Sequence, residues 1–218
     1  MCIRDRFQTI FGLGDEPITF RRGFMYKICF NESDNPDFYN AEIKIGYEKI
    51  FKESEFIVAC TDTEEKLEKL FIDQKVEYRW LIQGKESINF NDFNLERVML
   101  NDNQLRISGR NKTSRGLEYI IKIPDKLNLL HKSAEFHLQF NTIHPISKKE
   151  FPVYIIHPTK GFEVLFDFSG IKIKKPKIFP FFSGKVRYPE IISTGSKIKV
   201  IADKEEWIFP NSGLLIYW

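Results

Sequence analysis

The sequence predicts a mainly β protein, all-β or α+β. The expected architecture is an antiparallel β-sandwich, or two packed β-rich halves, with one short helix near residues 62–73. Three observations carry this. Short runs of alternating apolar and polar residues recur along the chain. Gly, Pro, Asn and Asp clusters separate them roughly every eight to twelve residues. Phenylalanine, at 21 of 218 residues, outnumbers glycine, at 12, and aromatic enrichment favours strands.

The elements follow in order. Residues 7–14 read as a linker or the end of a helix. Gly12 and Gly14 there form only a GxG, without the third glycine and strand-turn-helix setting of a phosphate loop. Phe20 to Phe30 is a strand with Phe24 and Tyr26 on one face, and residues 31–37, NESDNPD, are a loop. Ala41, Ile43, Ile45 and Tyr47 alternate with polar residues as a half-buried strand. Phe56 to Cys60 is a short apolar strand. The helix starts at Thr61-Asp62-Thr63-Glu64, where Thr61 with Glu64 or Asp62 with Glu65 makes a capping box. Leu67, Leu70 and Phe71 then form its apolar stripe.

Val76, Tyr78, Trp80 and Ile82 alternate with Glu77, Arg79, Leu81 and Gln83 as a further strand. Val98 and Leu100 pair with Leu105 and Ile107 across a polar turn. Residues 109–116, GRNKTSRG, read as a loop. Leu117 to Ile123 is a strand, residues 124–132 hold a helical turn, and Ala134 to Phe140 is a strand. A subdivision near 124–132 is an alternative to one large domain over 7–218.

Residues 150–170, EFPVYIIHPTKGFEVLFDFSG, organise the rest. They read as a hairpin turning at Pro158-Thr159-Lys160-Gly161, with Gly161 free to take positive φ. Both faces of the first strand are apolar, which predicts cover on both sides. Pro152 confines that strand to an edge or a strand start. Phe162, Val164, Phe166 and Phe168 share one face of the second. At the end of the chain, Trp207 and Phe209 are expected to pair with Leu214, Ile216 or Trp218 across the turn at 210–213.

The charge balance, 33 basic against 30 acidic residues, excludes a polycationic coat for nucleic acid. Residues 1–6, MCIRDR, resemble a translated adapter scar at the head of metagenomic reading frames. They are read as a non-native leader, so the chain is expected to be a fragment, the C-terminal part of a larger protein whose upstream domain is missing. Cys29 and Cys60 remain, with no CxxC or Cys/His ligand spacing. A reducing, cytoplasmic location is expected, with a single Cys29–Cys60 disulfide as the alternative. No apolar run reaches the roughly 20 residues that span a bilayer.

Two side-chain groups are candidate sites. His137, His144 and His157, with His131 nearby, cluster in sequence and suggest a metal centre. Opposing this, no HxH or HxxxH spacing is present. The second group is basic. Arg106, Arg110, Lys112 and Arg115 form one acid-free run. Lys172, Lys174, Lys175, Lys177, Lys185 and Arg187 form another, interleaved with Phe179, Phe181, Phe182 and Tyr188. That mixture binds phosphates and stacks bases or lies on a membrane surface; the plainer reading is a solvated lysine face over core phenylalanines. No GxSxG elbow or paired carboxylates point to catalysis, and no cofactor is implied. The Asn111-Lys112-Thr113 sequon bears only on a secreted protein.

The sequence therefore favours a non-enzymatic β-sandwich recognition or sensing module, its partner a protein or an anionic ligand. The alternatives are an anion-binding domain for nucleic acid or lipid surfaces, and a metal-assisted enzyme.

Overall fold

The computed structural model describes residues 20–173, 175–183 and 189–218. The six-residue leader, the GxG stretch, Lys174, Lys185, Arg187 and Tyr188 lie outside them. Strands are numbered in chain order. The largest sheet runs β13 (Glu190–Thr194), β14 (Lys197–Ile208), β11 (Thr159–Gly170), β1 (Arg21–Glu32), β2 (Phe38–Ile50), β9 (Ser133–Pro145), β5 (Phe93–Leu100), β6 (Asn103–Gln104). A four-stranded sheet runs β4 (Val76–Leu81), β3 (Glu55–Thr61), β8 (Gly116–Lys122), β7 (Ile107–Thr113). A three-stranded sheet runs β10 (Glu150–Ile155), β15 (Ser212–Tyr217), β12 (Lys177–Phe181). The expected β-rich, packed-sheet class is what the chain adopts. Strands from either side of residues 124–132 interleave in the large sheet, where β9 lies between β2 and β5.

One face of the large sheet is apolar. Phe24, Tyr26, Ile28 and Phe30 from β1, Ile43, Ile45 and Tyr47 from β2, and Phe162, Val164, Phe166 and Phe168 from β11 are all buried. Both smaller sheets pack into the same core. Phe56 of β3 meets Phe136 of β9 edge-on at 5.7 Å. Phe151 of β10 meets Phe30 at 5.5 Å. Trp80 of β4 touches Phe140 of the large sheet at 5.3 Å and Phe151 of the three-stranded sheet at 5.8 Å, so all three sheets meet at its ring. The opposite face of the large sheet is polar, laced by pairs such as Lys199–Glu163 and Lys197–Asp167.

Local expectations are met in part. The helix α1 (Glu64–Ile72) forms because β3 and β4 are parallel, and parallel neighbours need a crossover between them. Its N-cap is Thr63, whose Oγ1 accepts from the Lys66 amide. Neither capping box is used, because Thr61 is held in β3, its carbonyl accepting from the Ile82 amide. Leu70 alone of the expected stripe is fully buried, and Phe71 is exposed. Residues 109–113 of the expected 109–116 loop are strand instead, part of β7 paired along β8. Cys29 and Cys60 are both free thiols.

The central pair is corrected most. Residues 150–155 and 159–170 are both strands but do not form a hairpin. β10 pairs with β15, while β11 lies between β1 and β14. The two segments therefore belong to different layers. Only one face of β10 is covered: Pro152 and Tyr154 are exposed. Pro152 does lie on an edge strand, as its missing N–H requires. The C-terminal hairpin is absent for the same reason. Trp207 pairs with Lys160 in the large sheet, whereas Leu214 and Ile216 lie in the three-stranded sheet. Gly161 has the expected positive φ, at a register shift between β11 and β14.

A buried ionic cluster ties the four-stranded sheet to the large one. Glu77 of β4 is only 8% exposed. Its carboxylate takes the Arg21 guanidinium at 3.3 Å and the Lys49 ammonium at 2.5 Å, and it accepts from the Tyr47 hydroxyl. The Arg21 guanidinium also lies 4.1 Å from the centre of the Tyr47 ring. Burial alone would raise the Glu77 pKa. Lys49, Arg21 and the Tyr47 hydrogen bond outweigh it and leave the carboxyl below its ordinary value. Nearby, burial and then the charge of Arg21 push the His157 ring down to about 3.

Two outcomes follow from this cluster. Glu77→Gln leaves the buried Arg21 and the half-buried Lys49 without a counter-charge and should cost about 3 kcal/mol, read by urea unfolding at pH 7. His157 is neutral when folded and titrates near its ordinary value when unfolded. Its contribution is thus fully present above about pH 6.5 and is lost as pH falls toward 3. Between pH 7 and pH 5 the chain should lose up to about 2 kcal/mol of stability that His157→Gln retains. Unfolding curves of both proteins at the two pH values check this.

Candidate functional site

The three-stranded sheet presents two unlike faces. Its inner face places Phe151, Val153, Ile155, Leu214 and Ile216 in the core. Its outer face is built from three cross-strand rows. Glu150, Tyr217 and Lys177 form the first, Pro152, Leu215 and Phe179 the second, and Tyr154, Gly213 and Phe181 the third. Tyr154 is 61% exposed, Phe179 59% and Tyr217 42%. These are large apolar groups on a regular strand surface, where charged or small polar residues usually stand.

Gly213 shapes this face. A Cβ there would lie 2.1 Å from the Val153 carbonyl oxygen and 2.9 Å from the Phe181 ring. Its absence lets the half-buried Phe181 lie across the central strand and meet Tyr154 at 5.9 Å between ring centres. Pro152 and Pro180 sit on the two outer strands, β10 and β12. Both edges of this small sheet are thereby poor templates for a further strand, which leaves its face as the surface it offers.

The basic residues singled out from sequence divide between two sheets. Arg106, Arg110 and Lys112 are exposed, the last two on β7, an edge of the four-stranded sheet. The Lys112 ammonium donates to the Ile88 carbonyl and the Ser87 hydroxyl. The Arg110 guanidinium lies 5.4 Å from the centre of the Tyr119 ring. Arg115 is half-buried and bound to two carboxylates, Asp73 at 2.6 Å and Glu118 at 2.8 Å. The hydrogen bond from Arg115 holds the Asp73 carboxyl below its ordinary range. Arg115 thus braces the β7–β8 turn against the end of α1. Lys172, Lys175 and Lys177 are exposed beside the aromatic face. Lys174, Lys185 and Arg187 lie outside the described residues.

The three candidate metal histidines are not brought together. His137 and His144 are seven residues apart on β9, which puts their side chains on opposite faces and roughly 23 Å apart along the strand. His137 pairs with Glu135 at 2.9 Å on the polar face of the large sheet. His144 packs among Phe30, Phe151 and Trp218. His157 lies beside the buried Glu77 cluster. Among the described residues, no three His, Cys, Asp or Glu side chains are placed to hold a metal ion. Sequence proximity misled here because a strand carries its residues apart at about 3.3 Å each.

A hollow of about 680 Å³ opens on the polar face of the large sheet, over Gly46 and between Met25, His137, Glu48 and Glu135. A Cβ at Gly46 would lie 2.9 Å from His137 Nδ1. Tyr154 and Tyr217 were not singled out as site residues in the sequence. The available signal was the alternation of Pro152 and Tyr154 with the core residues of β10. No helix among the described residues is long and apolar enough to cross a membrane.

No protein-family model and no curated protein sequence matches the chain. Solved structures resemble it weakly. An M1 zinc metallopeptidase from Deinococcus radiodurans aligns with TM-score 0.44 and 7% identity over 91% of this chain and 42% of its own. Leukotriene A4 hydrolase from Saccharomyces cerevisiae aligns with TM-score 0.42 and 7% identity over 89% and 28%. A protein from Parabacteroides distasonis aligns with TM-score 0.48 and 8% identity over 91% and 39%. The chain spans less than half the length of each.

The fit around Gly213 can be tested directly. Gly213→Ala should push β15 away from β10 and cost about 2 kcal/mol. Thermal unfolding measures the loss, which a surface glycine in open space would not show.

Proposed function

We propose that the chain is a non-enzymatic recognition module that docks on another folded protein through the outer face of its three-stranded sheet. One observation supports this reading: Tyr154, Phe179 and Tyr217 stand exposed around Leu215 and Pro152 on a regular sheet surface. Aromatic anchors ringed by charge are the usual make-up of a protein-binding surface, with the ring excluding water from the anchors. Glu150 and Lys177 supply opposite charges at one end of the face, enough to orient a partner. An apolar face of this kind is worth most when a partner removes it from water.

A second reading draws on the lysines. Lys177 stands two residues from the exposed ring of Phe179 on the same face of β12, with exposed Lys172 and Lys175, and with Lys174, Lys185 and Arg187, in the same stretch of chain and Arg106, Arg110 and Lys112 on β7 or next to it. Rings for stacking and lysines for phosphates suit a single-stranded nucleic acid. Arg115 is left out of this set, since two carboxylates already hold it.

Two measurements separate the readings. A bare docking face should make the isolated chain associate weakly with concentration in sedimentation velocity. Tyr154→Ser with Phe179→Ser should hold it monomeric, while each exposed substitution changes stability by no more than about 0.5 kcal/mol. If the wild-type chain stays monomeric at every concentration reached, the protein-docking reading fails. A labelled oligouridylate whose anisotropy rises saturably, falls with salt and is lost in Phe179→Ser would put the nucleic-acid reading in its place.

A further inference from the structure

The described sheets end in six edge strands, and five are guarded. β6 is two residues long. β10 and β12 carry Pro152 and Pro180. β7 has a register shift at its start and then Gly109, Arg110 and Lys112. β4 carries Glu77 and Arg79. Short length, proline, bulges and charge are the devices by which soluble proteins keep sheet edges from pairing with other chains. β13 has none of them at its centre. Its sequence is Glu-Ile-Ile-Ser-Thr, its register on β14 is unbroken from Glu190 to Thr194, and all five residues are exposed. Ile191 and Ile192, on opposite faces of the strand, are 44% and 40% exposed.

We infer that the edge of β13 left unpaired among the described residues is a site where an extended peptide segment of another protein adds as a further strand of the large sheet. Cross-strand register states what the segment must look like. On the core side, Tyr26, Val164, Val200 and Ile191 form one apolar row across β1, β11, β14 and β13. A further strand continues that row with an apolar residue opposite Ile191. On the outer side Glu190 is the only charge on β13, so a basic residue opposite it completes an ion pair. The occupant is thus an alternating segment, apolar inward and basic outward. A second copy of this chain suits the edge less well. A five-residue strand pair buries far less than the roughly 1,200 Å² of a stable protein interface, and self-pairing supplies no cation for Glu190. Main-chain hydrogen bonds along an open edge hold short peptides without a large interface. This site is separate from the aromatic face and stands or falls independently of it.

The test uses the whole chain and a fluorescein-labelled peptide, Lys-Ile-Lys-Val-Lys-Ala. It copies residues 197–202, which pair with the other edge of β13, with Ile201→Lys to offer a cation to Glu190. Saturable binding is expected. It should weaken at least tenfold in the exposed variant Ile191→Lys, and at least tenfold for a peptide with Pro in place of its Val, a control that leaves the protein untouched. Tyr154→Ser should bind as wild type does. No saturable binding, or binding indifferent to both changes, overturns the inference. So does a wild-type dimer that Ile192→Lys dissociates, because the occupant would then be a second copy.

Discussion

The whole structure depends on covering one apolar face. Eight strands side by side make a surface lined by Phe24, Tyr26, Ile28, Phe30, Ile43, Ile45, Tyr47, Phe136, Phe140, Phe162, Phe166 and Phe168. No one short element spans that width. Two small sheets divide the work, and the gap between them is closed by rings, chiefly Trp80 against Phe140 and Phe151. The abundance of phenylalanine follows from this. Large rings bury much area each and pack at tilted or edge-on angles.

A buried carboxylate adds what dispersion cannot, a fixed relation between layers. Apolar faces slide over one another at modest cost, whereas Glu77 accepts from Tyr47 and pairs with Arg21 and Lys49 only in one placement of β4 over β1 and β2. Desolvating these charges is costly, and the hydrogen bonds offset it only when all are made. The same enclosure keeps His157 neutral.

The outward surfaces divide by role. The polar face of the large sheet is satisfied internally by cross-strand pairs such as Lys199–Glu163 and Lys197–Asp167. The outer face of the three-stranded sheet is not polar, and the edge of β13 is not guarded. Binding energy in proteins concentrates where apolar groups or backbone donors are left in water. These two places meet that condition on separate sheets, since β13 borders the large one.

The sequence by itself determined the class, the positions of most strands, the short helix between β3 and β4 and the alternation of side chains along each strand. Period-two alternation and turn residues are local, and they survive whatever the strands pair with. Residues 162–168 illustrate this, since Phe162, Val164, Phe166 and Phe168 are buried as their spacing requires. Only the tertiary structure decided partners. Residues 150–155 and 159–170 read as one hairpin yet belong to different sheets, because a turn signal bends the chain without stating which layer the next strand joins. The same limit hid the candidate site. Tyr154 looked like a second buried face until β10 proved to be an edge of a sheet covered on one side. It likewise set His137 and His144 close in sequence although β9 holds them far apart. Alternation states that a side chain points away from its neighbour's side. Whether that side meets core or water is set by the layers around it.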